Sequence, residues 1–401
     1  MNTPTATSRV EKLNDRLTAE SSSQDIVSAL QETLTAEKDF HRLFDALLME
    51  YRLSHSLPIT QPTSLENVPE DHEAEFRKAY VNAARKVGQL FLEDDRLSDA
   101  WAYFRTIGEP EPVRTAIENI RIPREPDEKF DEIMNLALYE GAHVAKGLEF
   151  LLKTHGTCNT VTAFGQLQQQ MTVAERRTCA AMMVRNVYED LQANIRRDVE
   201  ARMPVLSADA SVAELIKGRD WLFAEGNYHI DVSHLHSTVG FARALEAEDP
   251  ELPLAIELCE YGSMLSGPLQ YPGDIPFDDY YPGHRWFLNA LAGNDVDGGL
   301  AWFMKKLRDE PDEPDRQLIA YVLLDLAQRT GKIESALREA APLVSRMEDP
   351  NGFSFAKLCV EFGLTDELAA AAADNDDVLN YAIAKLSAGD QADKDTGAAN
   401  A

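Results

Sequence analysis

The sequence predicts an all-α protein, an α-solenoid of antiparallel helical hairpins with one long irregular loop near 266–284. Three observations predict it. Apolar residues recur at three- and four-residue steps through most of the chain, as at Leu43, Phe44, Leu47, Leu48 and Tyr51. No segment shows a convincing strand pattern. In the last third, small residues in the second helix of each pair, Gly299, Ala336 and Ala369, recur about one hairpin apart.

The elements follow in order. Residues 1–24 are Ser/Thr-rich and read as a disordered tail. Helical stripes at 26–34 and 40–53 open an N-terminal helical-hairpin region, 25–200. Residues 56–70 hold three Pro and little pattern, so they read as a loop. The stretch 81–114 then reads as one helix–turn–helix unit. Val81, Ala84, Val87, Leu90 and Phe91 line its first helix. Asp94, Asp95 and Arg96 turn the chain, and Leu97, Ala100, Trp101, Phe104 and Ile107 line the second, which stops at Gly108 and Pro110. Gly88 and Ala100 let the two helices approach, and Phe91 and Phe104 fill the space beyond. Pro112 cannot continue the second helix and starts a new turn.

This unit resembles the tetratricopeptide repeat. Gly88, Phe91, Ala100, Phe104 and Pro112 stand in that family's small, aromatic, small, aromatic and Pro positions. The early Trp position is Ala84 and the late small position is Ile107, and the resemblance covers under a tenth of the chain. It implies stacked hairpins with a concave groove that binds another protein or a peptide.

Asp127 is placed to cap a helix through Phe130, Met134 and Leu138, with Gly141 breaking it and 144–152 returning. Gly156 closes that return and Thr157 caps the next helix. Thr172 and Glu175 form a capping box for a long helix ending at Met203-Pro204, and Ser211 and Glu214 form another. A C-terminal helical-hairpin region, 201–386, continues with helices expected at 212–225, 229–247 and 251–265. The loop follows, and hairpins resume from His284. The final helix holds Val378, Leu379, Ile383 and Leu386, and 387–401 reads as a disordered tail.

Composition bounds the function. The 68 acids against 39 bases give a net charge of −29, which opposes nucleic-acid phosphates and anionic membranes and favours basic partners. The start lacks a signal peptide's apolar core and no apolar run is long enough to span a bilayer, so the expectation is a cytoplasmic protein. The cysteines, Cys158, Cys179, Cys259 and Cys359, are spread without a paired motif and read as buried thiols. No phosphate loop, dinucleotide turn, nucleophile elbow or zinc-protease motif occurs.

Two stretches carry candidate chemistry. His229, Asp231 and His234, joined in space by His284, are of metal-ligand type. Asp231 is alternatively a helix cap, with His229 and Tyr228 then in a loop. The loop near 266–284 gathers Tyr271, Phe277, Tyr280 and Tyr281 among acids, with Tyr228 and Trp286 as further candidates for a binding surface. Three readings stand: its carboxylates hold a cation, though without the EF-hand order of ligands, its rings bind a basic or Pro-rich peptide, or its rings lock the loop onto the helices. The favoured expectation is a non-catalytic scaffold that holds another protein or a peptide in a groove, without cofactor. The alternative is a metal-dependent hydrolase using the His229/Asp231/His234 cluster and a divalent transition metal. A third reading is a sensor whose ligand pocket is walled by Tyr228, Trp286 and the loop aromatics.

Overall fold

A computed structural model describes residues 8–203, 207, 209–345 and 354–398. The protein is all-α, and no strand occurs among the described residues. It divides into two compact units, Met1–Thr154 and His155–Ala401. The expected regional boundary at 200 falls instead inside a continuous helix of the second unit.

Unit 1 runs α1 (Arg9–Asn14), α2 (Ser23–Ala36), α3 (Phe40–Ser54), α4 (Glu70–Glu93), α5 (Leu97–Thr106), α6 (Glu111–Glu118) and α7 (Glu128–Leu138). Ser8 and Ser22 close capping boxes on α1 and α2, so helix begins inside the expected tail; residues 1–7 lie outside the described residues. From α2 to α6 each helix packs on the next. In the α4/α5 pair, Val87 and Phe91 face Ala100 and Phe104, all buried. A Cβ on Gly88 would stand 2.8 Å from Phe104, so glycine sets the approach of the two helices. Burying such side chains stabilises by about 1.5–3 kcal/mol each. Asp127 caps α7 through the Phe130 amide, as its position predicts.

The loop 56–69 is pinned from within. Arg52 is 1% exposed. It donates from Nε to the Pro62 carbonyl at 3.1 Å, from Nη1 to Pro58 at 2.8 Å, and from Nη2 to Ser64 and Glu66. A buried guanidinium satisfied by backbone carbonyls fixes an otherwise patternless loop. Its carbon lies 5.2 Å from the Phe76 ring centroid.

Helix α8 (Val144–Leu167) is broken at Gly156, whose φ of 79° and ψ of 177° are open to glycine. Unit 2 is built against α9 (Val173–Arg202), whose capping box is Thr172 and Glu175. Three helices lie on it: α10 (Val212–Ile216), α11 (Val232–Phe241) and α12 (Leu252–Met264). Tyr188 of α9 donates to Glu257 of α12 at 2.8 Å and accepts from the Val212 amide at 3.0 Å, tying three helices at one hydroxyl. Arg177 forks onto Asp249 at 2.8 Å.

Beyond the loop come α13 (Tyr280–Leu291), α14 (Val296–Asp309), α15 (Glu313–Arg329), α16 (Ile333–Val344), α17 (Phe355–Glu361), α18 (Thr365–Asp374) and α19 (Val378–Ala398). Consecutive helices pack from α12 to α16, α18 lies on α16 and α17, and α19 on α18. Four local expectations change: the helix expected over 229–247 is α11, Val232–Phe241, followed by a 3-10 turn at Ala242–Ala244. The helix expected over 212–225 ends at Ile216, and a 3-10 segment, Asp220–Gly226, follows. Val378, Leu379 and Leu386 of the last helix face outward, while Ala384 is the buried residue. That helix continues through the expected tail to Ala398. Residues 399–401 lie outside the described residues, as does Pro204, expected to end α9.

Candidate functional site

The loop between α12 and α13 is held by stacked rings. Tyr280 lies flat on His236, with ring centroids 3.7 Å apart and an interplanar angle of 13°. Its hydroxyl donates to the His236 carbonyl. His284, one turn along α13, packs on Tyr280 at 4.3 Å and on Phe277 at 4.0 Å. Phe277 reaches Phe303 of α14 at 5.6 Å. Tyr281 is buried against Gly262 of α12, where a Cβ would stand 2.3 Å from the ring. Of the three readings of this loop, the packing favours rings that lock it onto its helices.

The four metal-ligand candidates in unit 2 are each engaged separately. His229 lies in a bend, and its carbonyl accepts from Asn194 of α9 at 2.9 Å. Its amide and Nδ1 lie 2.8 and 3.1 Å from the Tyr261 hydroxyl, and its Nε2 lies 3.2 Å from Asp198. Burial lowers its pKa against the opposing pull of Asp198. Asp231 is the N-cap of α11 and accepts from the Ser233 amide at 2.9 Å. His234 is half-buried on the first turn of that helix. His284 is buried, with Nδ1–H donating to the Tyr280 carbonyl at 2.8 Å. Burial, with the Arg243 charge nearby, lowers its pKa to about 3. Their ligand atoms do not come within 4.8 Å of one another as a set of three or more.

The six binding-surface candidates divide. Phe277 and Tyr281 are core residues and Tyr280 is half-buried. Tyr228, Tyr271 and Trp286 reach solvent, at 53%, 46% and 36% exposure. Trp286 lines a cavity of about 440 Å³ with Ser263, Pro282, Arg285, Asn289 and Asp295. Arg285 is paired with Glu260 at 3.0 Å, and Asp295 caps α14 through the Gly298 amide. The walls are therefore one open indole face, a proline and neutralised or capped polar groups. A second cavity, of about 340 Å³, lies between α8, α9, α11 and α15, with Phe164, Gln168, Arg176 and Arg329 among its walls.

Cys158 is exposed, unlike its three buried counterparts, so the expectation of four buried thiols holds for three. Burial pushes the thiols of Cys179 and Cys359 up to about 12, which leaves both unreactive.

One grouping escaped the sequence reading. His55, His72 and Glu75, in unit 1, bring ligand atoms within 4.8 Å of one another, and this is the one such group among the described residues. The available signal was His72 and Glu75 three apart on a helix, which places both on one face. Nothing in the sequence pointed to His55, because the loop that returns it to them carries no pattern. No protein-family model, no curated protein and no solved structure matches this chain.

Proposed function

We propose that the protein is a non-catalytic helical scaffold, and that unit 2 docks a basic segment of another protein at the Trp286 cavity. The observation that carries this is an exposed indole lining a cavity of about 440 Å³, beside a proline and polar groups already satisfied within the fold. Tryptophan that stays open on a folded surface is the residue type most often found at the energetic centre of an interface. Its π face also attracts Arg and Lys side chains.

The class of occupant follows from charge. A chain at −29 repels acidic partners and attracts basic ones at long range. The hairpin resemblance to tetratricopeptide repeats supports the same kind of role, since helical arrays chiefly present surfaces.

The test is fluorescence anisotropy of a labelled Lys/Arg-rich peptide titrated with the full chain at low salt. Saturable binding is expected, at least tenfold weaker for Trp286→Ala and weakened again by added salt. An acidic peptide of the same length is expected not to bind. Equal affinity for Trp286→Ala, or binding indifferent to peptide charge, overturns the proposal.

A further inference from the structure

Three side chains at the junction of α3 and α4 lie within ligand-sharing distance, and the backbone around them is fixed. His55 is the C-cap of α3. His72 and Glu75 sit in the first turns of α4, on one face. The intervening loop is the one that Arg52 staples through four carbonyls, so the two helix ends meet in a set geometry.

The hydrogen bonds of His55 settle its tautomer. Nδ1 lies 2.8 Å from the Tyr51 carbonyl, which can only accept, and 3.0 Å from the Ser54 hydroxyl, whose own proton goes to that carbonyl at 2.7 Å, so Nδ1 carries the proton. In the neutral ring Nε2 then presents a lone pair. That nitrogen lies 3.6 Å from Glu75 Oε2, itself an acceptor. Two acceptors face each other stably only with a proton, a bridging water or a cation between them. The His72 ring stands beside His55, with centroids 5.3 Å apart at 71°. All the ligand atoms lie within 4.8 Å of one another.

We propose that His55, His72 and Glu75 form a three-ligand site for a divalent transition metal of the zinc type, with water completing the shell. Two imidazoles and one carboxylate suit zinc and its neighbours rather than magnesium or calcium, which take oxygen ligands. Bonds of about 2.0–2.2 Å put tetrahedral ligand atoms roughly 3.4 Å apart, so the side chains need close in by only about 1 Å. Glu75 has that freedom, since its side chain is 63% exposed, whereas that of His55 is 23% exposed and its ring stacks on Tyr51 at 4.1 Å. The His55 Nδ1–H to carbonyl bond is the outer-shell contact that orients a metal-bound imidazole.

A second observation points to the same place. The Tyr51 hydroxyl is buried without a hydrogen-bond partner. Its ring stacks on that of His55, with centroids 4.1 Å apart. A water on the metal would give that hydroxyl a partner, which a His55–Glu75 proton bridge alone does not.

The experiment is a calorimetric titration of zinc chloride into the tag-free full chain, stripped with EDTA and dialysed. One ion per chain is expected, with affinity at least tenfold weaker in His72→Asn and in Glu75→Gln, and unchanged in His234→Asn. Absence of binding at about 0.1 mM zinc overturns the site, as does undiminished one-to-one binding in a His72→Asn/Glu75→Gln double variant. A readout on the unaltered chain covers variants that fail to fold. Zinc is expected to protect His55 and His72, but not His234, from diethyl pyrocarbonate, and equal labelling with and without zinc sinks the idea. The site is in unit 1, so its failure leaves the Trp286 proposal standing, and the reverse holds.

Discussion

His284 is a neutral imidazole held where a charged one cannot stay. It is 1% exposed, between Tyr280 and Phe277, and its Nε2 has no hydrogen-bond partner. Its pKa of about 3 lies far below the 6.5 of a free ring. Between those values the unfolded chain binds the proton and the folded chain does not, so stability falls as pH drops through the window. His229 and His236, lowered by burial as well, add the same sign. His284→Phe keeps a ring in the stack and removes the titration. Urea melts at about pH 7.5 and pH 5.0 are expected to show about 2 kcal/mol less acid loss in the variant than in the parent. An equal loss in both would mean that His284 is not the titrating group. The residue scale is also where the sequence was least legible. His229, Asp231 and His234 are near in sequence, but Asp231 starts α11, and the chain turns its neighbours into separate environments. Helical register was a better guide than proximity. Tyr281, His284, Leu288 and Leu291 follow three- and four-residue steps and are buried, which leaves Pro282, Arg285, Trp286 and Asn289 to line the outer cavity.

At the scale of the element, periodicity and caps carried most of the fold. The α4/α5 pair, the caps at Asp127, Thr172 and Ser211, and the stop at Gly156 stand where residue type placed them. Short elements escaped for a physical reason. One turn of helix, such as α10, has no period to read, and it ends at Lys217, followed by Gly218 in the left-handed region. The start of α13 at Tyr280 was hidden by Pro282 and Gly283, which read as loop residues; a Pro is tolerated in a first helical turn, and at Gly283 a Cβ would stand 3.1 Å from Trp302 and 3.2 Å from Phe277. The last helix shows the converse. Its apolar stripe was legible, but Val378, Leu379 and Leu386 stay exposed. Close approach is the testable element-scale claim. Gly88→Ala gains roughly 1 kcal/mol of helix propensity, but its methyl meets the fully buried Phe104 at 2.8 Å. Overpacking of that kind costs about 1–3 kcal/mol and is expected to win. Gly165→Ala, on α8 with nothing within 4 Å of the new methyl, gains the propensity alone. Thermal melts are expected to move down for the first and up for the second. A stabilised Gly88→Ala would mean that the two helices have room to spare.

The whole molecule is dominated by charge of one sign. Its 68 acids outnumber its 39 bases, and most of its ion pairs have at least one partner well exposed to water. Two opposing effects of salt follow. Screening weakens attractive surface pairs, which are individually worth little, about 0–1 kcal/mol. It also relieves repulsion among a large surplus of carboxylates, which acts over the whole surface and is strongest when the Debye length is long. The exceptions to weak pairing are few. Arg177 forks onto Asp249, whose side chain is 13% exposed, Arg329, 14% exposed, lies 3.4 Å from Glu246, and the exposed Arg185 meets the buried Glu251. Those pairs are too few to outweigh the repulsion of a net −29. Raising sodium chloride from about 20 mM to about 300 mM at neutral pH is therefore expected to raise the melting temperature by a few degrees. The same salt is expected to weaken a basic peptide at the Trp286 cavity, so stability and binding should move in opposite directions in one titration. A melting temperature that falls with salt would mean that local ion pairs, not the excess of acids, set the electrostatic balance of the fold.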